Sequence, residues 1–273
     1  MGKTNTPEFG AGANTRNLVF GATGNPFNPK LSCAGSSGGS AVSLATSMVP
    51  LATGSDYGGS LRTPASFCGV VGFRPSPGVV PNELRSVGLN PFSVLGPMGR
   101  TVSDAALLLS AMISDDPRDP FGSGTNTELA KPLQPADLAH FRVAISEDLG
   151  TAPLDDDIRQ CFRRKIKGIQ HIFLSTQHQD PPFDDDLHRA FEVLRCVNYL
   201  SAHAEKLAKH RELLTPNVIA NIEMASQFTM ADIAWAHKKQ TTLYRGYTNM
   251  FNEIDLLLSP TAAVSPFPHA EWY

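Results

Sequence analysis

The sequence predicts an α/β fold, and two observations carry that prediction. Nineteen of the 22 glycines lie in residues 1–124, whereas all eight histidines fall from His140 onward. The first part therefore reads as short strands joined by loops and tight turns, and the second as mostly helical. Short apolar runs cut off by proline have the character of strands, while elsewhere apolar residues recur at helical spacing.

Taken in order, Gly39 to Val49 forms a helix opening directly from a glycine-serine loop. Gly69 to Phe73 is an apolar strand stopped by Pro75 and Pro77. Thr101-Val102-Ser103-Asp104 starts a helix running to about Ile113, with small polar residues as caps. Asp115 to Gly124 is a turn-rich linker, and Arg142 to Ser146 a strand. Leu154 to Ile169 and about Asp185 to Lys209 are helices, with Leu187, Phe191 and Leu194 on one face of the latter. A long helix runs from Met230 to about Glu253, where Leu243, Tyr247, Met250 and Ile254 step by four, three and four. Asp255 to Ser259 is a buried strand before Pro260.

Composition narrows the function classes. The 273 residues carry 23 Lys+Arg against 26 Asp+Glu, a net charge of −3 without a basic stripe. That weighs against a nucleic-acid binder working by phosphate neutralisation. With 41% hydrophobic and 18% charged residues the chain is globular. Its longest nearly apolar stretch, Ala105 to Ile113, is far short of the roughly 20 residues that cross a bilayer, so no membrane partner is expected. Cys33, Cys68, Cys161 and Cys196 form no C-x-x-C pair and read as buried free thiols of a reducing, cytoplasmic compartment. No secretory h-region follows Met1; Met1-Gly2-Lys3-Thr4-Asn5-Thr6 formally matches a myristoylation pattern that is easily met by chance. The histidines show no metal-ligand spacing, so no metal is expected.

The chemistry concentrates in two loops, Cys33-Ala34-Gly35-Ser36-Ser37-Gly38-Gly39-Ser40 and Gly54-Ser55-Asp56-Tyr57-Gly58-Gly59-Ser60-Leu61-Arg62. A serine nucleophile needs a base, an accessible oxygen and backbone N–H groups aimed at the developing oxyanion. Glycines allow the tight turns that point successive N–H groups inward. Losing one such donor costs about 3 kcal/mol of transition-state stabilisation. The first loop alone would also suit a flexible linker, but it runs into an apolar helix pattern. Neither loop ends in the Gly-Lys-Ser/Thr of a phosphate loop. Gly35-Ser36-Ser37-Gly38-Gly39 satisfies G-x-S-x-G, which offers an α/β-hydrolase-type esterase with Ser37 as nucleophile; Pro26 and Pro29 occupy the place of the strand that should precede it.

These residues resemble the amidase signature family. The match runs from Gly2-Lys3-Thr4-Asn5 and Pro7-Glu8-Phe9 through both loops, Phe67-Cys68-Gly69-Val70-Val71-Gly72 and Gly96-Pro97-Met98, and returns at Asp255 to Thr261. The resemblance implies a mixed β-sheet sandwiched by helices, incomplete here, and a single partial domain over 1–273. Its glycine/serine-rich catalytic part is 1–114, its mainly helical variable region 115–254, and its return to the core sheet 255–273. It further implies an amide hydrolase with a serine, cis-serine, lysine triad and a small-molecule amide substrate; no cofactor is needed, and a homodimer is left open as the assembly. Ser60 matches the nucleophile, and Ser36 the relay serine that follows a cis peptide after Gly35. The N–H groups of Tyr57, Gly58, Gly59 and Ser60 match the oxyanion hole. Ser37, Asp56, Arg62 and Gly35 match supporting positions, though Asp56 and Arg62 read equally well as an ion pair that staples the loop.

In the family the lysine precedes the segment matching Gly2 to Asn5, and Lys3 matches a non-catalytic position. The other lysines (30, 131, 165, 167, 206, 209, 238 and 239) fall at no matching place. Family members also continue beyond the strand matching Asp255 to Ser259. The expectation is an amidase domain lacking both ends, with little or no activity alone. The alternative is a truncated non-catalytic homologue or gene fragment. A further alternative within the family is a component of an amidotransferase, against which Arg74-Pro75-Ser76-Pro77 replaces the usual Lys-Pro-Thr-Tyr.

Overall fold

The computed structural model describes residues 2–122 and 127–270. Met1 of the lipidation pattern and the last two residues of the 115–124 linker lie outside them. The chain divides into two compact units: Met1–Gln134 with Ser201–Ala220 and Pro266–Tyr273, and Pro135–Leu200 with Asn221–Ser265.

The first unit opens with a hairpin, β1 (Arg16–Asn17) and β2 (Gly21–Ala22). Helix α1 (Gly38–Ala45) follows the first glycine-serine loop and ends earlier than its sequence pattern suggests, because Ser47 adopts a positive φ of 60° ahead of Pro50. Strand β3 (Leu51–Asp56), helix α2 (Arg62–Cys68), β4 (Val71–Gly72) and β5 (Val94–Gly99) come next. They build an antiparallel sheet in the order β3-β5-β4. Pro97 sits within this central strand. Its carbonyl accepts the Phe73 N–H at 3.1 Å, but it has no N–H to return, and the pairing with β4 stops at Gly72 and Met98. Helix α3 (Val102–Met112) starts at Thr101, whose hydroxyl accepts the Asp104 N–H while the Asp104 carboxylate accepts the Thr101 N–H. The core beneath the loops is Cys33, Ala41, Leu44, Leu61, Ala65, Cys68 and Met98.

The second unit holds β6 (Arg142–Ile145), α4 (Asp156–Ile169) and β7 (Ser175–His178), a parallel βαβ unit joined on its other side by β8 (Leu256–Leu258). Helix α5 (Asp186–His210) buries Ala190, Val193, Leu194 and Cys196; of the face expected from the sequence only Leu194 is among them, Leu187 and Phe191 being half-buried. Helix α6 (Pro216–Ala225) has no counterpart in the sequence reading, and α7 (Met230–Met250) is capped by Thr229 and Asp232 as α3 is by Thr101 and Asp104. Met250 and Ile254 pack on Ala144, which places the long helical face where its four-three-four spacing predicts.

The α/β class holds, with antiparallel and parallel pairing each present. Two local expectations need correction. Cys161 is exposed on α4, although Cys33, Cys68 and Cys196 are buried as expected. Strand β8 is half-buried, since it has a neighbour on one side only among the described residues.

Candidate active site

Both glycine-serine loops belong to the first unit and are stitched to each other. The second is shorter than its composition suggests, because Gly54, Ser55 and Asp56 are the last residues of β3. The Ser37 N–H donates to the Ser60 carbonyl at 3.2 Å. The Ser37 hydroxyl donates to the Ser55 carbonyl and accepts the Ser55 N–H, both at 3.2 Å. Gly54 makes this approach possible, since a Cβ there would come within 2.5 Å of the Ser37 oxygen. A hydroxyl used in both directions by the main chain of β3 is a brace, which speaks against Ser37 as an elbow nucleophile.

The peptide between Gly35 and Ser36 is cis, as the resemblance implies. Thr15 spans this turn from outside: its hydroxyl donates to the Ala34 carbonyl at 2.8 Å and accepts the Gly38 N–H at 3.1 Å. Ser36 is buried, with 5% of its surface exposed, and its hydroxyl faces Gly10. Ser60 is half-buried in the turn between β3 and α2. The two hydroxyls make no hydrogen bond to each other. Among the described residues, no acceptor meets the N–H of Gly58 or of Ser60. The Gly59 N–H is already engaged, donating to Asp56 Oδ1 at 2.9 Å, and Gly59 holds a φ of 124° that favours glycine.

Asp56 is the hub of the second loop. Its fully buried carboxylate accepts from the Gly59 and Leu61 N–H groups, from Arg62 Nε and Nη2 at 3.0 Å each, and from Arg74 Nη1 at 3.0 Å. Burial works to raise its pKa, but the two guanidiniums and the Gly59 N–H overcome this and hold the carboxyl below the ordinary range. Arg62 and Asp56 thus form the stapling ion pair, and Arg74 is a third member that the sequence does not announce.

The thiols of Cys33 and Cys68 are buried. Burial pushes Cys33 up to about 11 and Cys68 up to about 12. None of the nine lysines is buried: eight are exposed, and Lys239 is held by Asp184 and Asp186, which raise its pKa. A lysine base needs the opposite shift. No group of three potential metal ligands occurs among the described residues, and no described helix is long and apolar enough to cross a membrane. A cavity of about 710 Å³ in the second unit, bordered by Glu147, Arg163, Lys167 and His178, contains none of the residues matched to the catalytic, oxyanion or supporting positions.

Comparison with known proteins accords with the loops. A family model described as Amidase matches residues 1–273. An acylamidase of Rhodococcus erythropolis is 29% identical over 269 residues, covering 98% of this chain and 56% of that protein. A glutamyl-tRNA(Gln) amidotransferase subunit of Thermus thermophilus is 31% identical over 294 residues, covering 98% of this chain and 61% of that protein. The crystal structure of a bacterial aryl acylamidase of the amidase signature enzymes superposes with a TM-score of 0.85 at 26% identity, over 98% of this chain and 57% of that one. The chain thus spans little more than half the length of the relatives it matches.

Proposed function

Since the chain belongs to the amidase signature family, we propose that its two loops carry the hydrolysis of a carboxylic amide through a serine acyl-enzyme. The Ser60 oxygen attacks the amide carbonyl, and the C–O bond forms as the carbonyl π bond opens to an oxyanion. That charge settles on the N–H groups of the turn. Those of Gly58 and Ser60 stand ready; Tyr57 supplies the adjoining donor, and Gly59's, bound to Asp56, also holds the turn in shape. Ser36 relays the Ser60 proton towards the leaving nitrogen, the C–N bond breaks, and an amine departs. Water then attacks the ester and releases the acid. The Ser36 hydroxyl closes on Ser60 when substrate arrives, in keeping with catalytic hydrogen bonds that tighten only in the loaded site.

The observation that carries this reading is the pair of unengaged N–H groups at Gly58 and Ser60, directly beside a serine hydroxyl. The step left without an owner is removal of the proton from Ser36, because no lysine here has the burial it needs. We therefore assign the chain alone a reactive serine with little or no turnover, in a reducing, cytoplasmic setting suited to its free cysteines. The test pairs a fluorophosphonate probe with a chromogenic anilide. The expected result is slow labelling of Ser60, abolished by Ser60→Ala and kept in Ser37→Ala, with negligible anilide turnover. Label on Ser37 that requires a histidine would favour the esterase reading instead. Rapid turnover lost on Ser60→Ala would overturn the inactivity.

The amidotransferase relatives favour a second reading, in which the same chemistry releases ammonia within a multi-subunit enzyme. Its test is co-purification with partner subunits.

A further inference from the structure

We infer that Arg74 is a positioning residue that aims the first N–H of the oxyanion cradle, and that Arg62, although bound to the same carboxylate, is not. The inference rests on the acyl-enzyme reading above for what the cradle does, but on geometry alone for what sets its direction.

Asp56 ends β3 on one side of β5, and Arg74 leaves β4 on the other. The residue before a proline is held extended, and Arg74 precedes Pro75, so the backbone passes along β5, with the Phe73 N–H on the Pro97 carbonyl at 3.1 Å. From there the guanidinium reaches across the sheet to Asp56. The two arginines then differ in what they grip. Arg62 makes a two-pronged contact with the carboxylate and nothing else, and it is 47% exposed. Arg74 is 23% exposed, and its Nη1 donates both to Asp56 Oδ1 at 3.0 Å and to the Asp56 main-chain carbonyl at 2.5 Å.

That second contact has a directional consequence. The Asp56–Tyr57 peptide is trans, so its C=O and N–H lie in one plane and point in opposite directions. A group that fixes the Asp56 carbonyl therefore fixes where the Tyr57 N–H points. Tyr57 is the first residue of the Tyr57-Gly58-Gly59-Ser60 turn, and the Gly58 N–H lies in the next peptide plane, joined to this one through the φ and ψ of Tyr57. Gly59 at the far end is already fixed by Asp56 itself. Arg74 thereby holds the entry to the turn and Asp56 its middle. Arg62 duplicates only a contact on the carboxylate, which keeps three other N–H donors without it.

The test compares Arg74→Met, Arg74→Lys and Arg62→Met in the full chain. Two readouts are taken: backbone amide shifts and hydrogen exchange at Tyr57 and Gly58 by NMR, and the rate of fluorophosphonate labelling at Ser60. Arg74→Met should move both amides, speed their exchange about tenfold or more, and slow labelling by about ten- to a hundredfold, the scale of one lost oxyanion donor. Arg62→Met should leave the two amides in place. Amides unmoved in Arg74→Met, or moved equally in Arg62→Met, would overturn the assignment. Should Arg74→Met fail to fold, Arg74→Lys decides. A perturbation that persists in the lysine variant supports a geometric role, whereas wild-type amides there would reduce Arg74 to a charge. Absence of label on wild-type Ser60 would remove the acyl-enzyme reading, while the amide shifts still decide the role of Arg74.

Discussion

Replacing Asp56 by asparagine removes one charge and turns one oxygen into a donor, with almost no change in shape. The structure says what that costs. Oδ1 accepts from the Gly59 N–H, Arg62 Nη2 and Arg74 Nη1; Oδ2 accepts from the Leu61 N–H and Arg62 Nε. Whichever way the amide turns, its NH2 faces two or three donors. The less damaging choice places it at Oδ2, stranding the Leu61 N–H; a buried unsatisfied donor costs about 1–3 kcal/mol. The Arg62 guanidinium is about half exposed and can return to water, so its loss is small. Arg74 is more enclosed and loses its counter-charge, a break that costs about 3–5 kcal/mol when burial is complete and less here. A destabilisation of about 3 kcal/mol follows, which corresponds to roughly a hundredfold loss of hydrogen-exchange protection for the amides of β3 and α2. The pH dependence supplies an independent check. Asp56 has a folded pKa below its unfolded value, so its contribution is fully present above the ordinary carboxylate range and is lost as pH falls through the folded pKa. The gap in stability between the native chain and Asp56→Asn should therefore be widest near neutral pH and close on acidification. A gap under about 1 kcal/mol at neutral pH, or one that widens in acid, would refute the reasoning.

Two further outcomes follow from other charges. Asp119 is fully buried and accepts from the Asn82 and Phe121 N–H groups and from Arg85, whose side chain is only 2% exposed. Asp119→Ala should cost about 3–5 kcal/mol in urea unfolding by stranding that guanidinium, and Arg85→Met distinctly less, because Asp119 keeps two backbone donors; equal losses would contradict this. In the second unit, Arg163, aided by Arg159, holds the Glu147 carboxyl down at about 2 against a smaller opposing effect of burial. An NMR titration of the Glu147 carboxyl should shift upward in Arg163→Ala, and a midpoint unchanged in the variant would show that Arg163 is not the cause.

The parts of this molecule legible in its sequence are those whose cause is local. The helix starts at Thr101 and Met230, the helical run of α5 and the face ending at Met250 and Ile254 are periodic or capping signals contained within a few residues. Strands β3, β5 and β7 are not legible. Leu51–Asp56 contains a glycine and four other residues of weak or polar character, Val94–Gly99 contains Pro97, and Ser175–His178 has no apolar residue. Only pairing with distant partners makes these segments strands, and propensity yields to such pairing.

The same division runs through the candidate site. Glycine and serine in tight succession announce that main-chain N–H groups will be exposed at a turn, so the loops themselves could be found. What directs those N–H groups arrives from elsewhere. Thr15 braces the Gly35–Ser36 turn from 19 residues before Ala34, Arg74 grips the Asp56 carbonyl from 18 residues beyond it, and Ser37 meets Ser55 across the same separation. A threonine or an arginine among many carries no mark of that duty: that of Arg74 exists only once β3, β5 and β4 are side by side, and that of Thr15 only once it lies against Ala34 and Gly38. An N–H group can stabilise an oxyanion only along its own axis, so in the proposed reaction the donors follow from the loops and their direction from the distant residues that hold them. Variation at positions far from the serines, at Thr15 and Arg74 above all, is therefore where a loop of unchanged sequence would lose its chemistry.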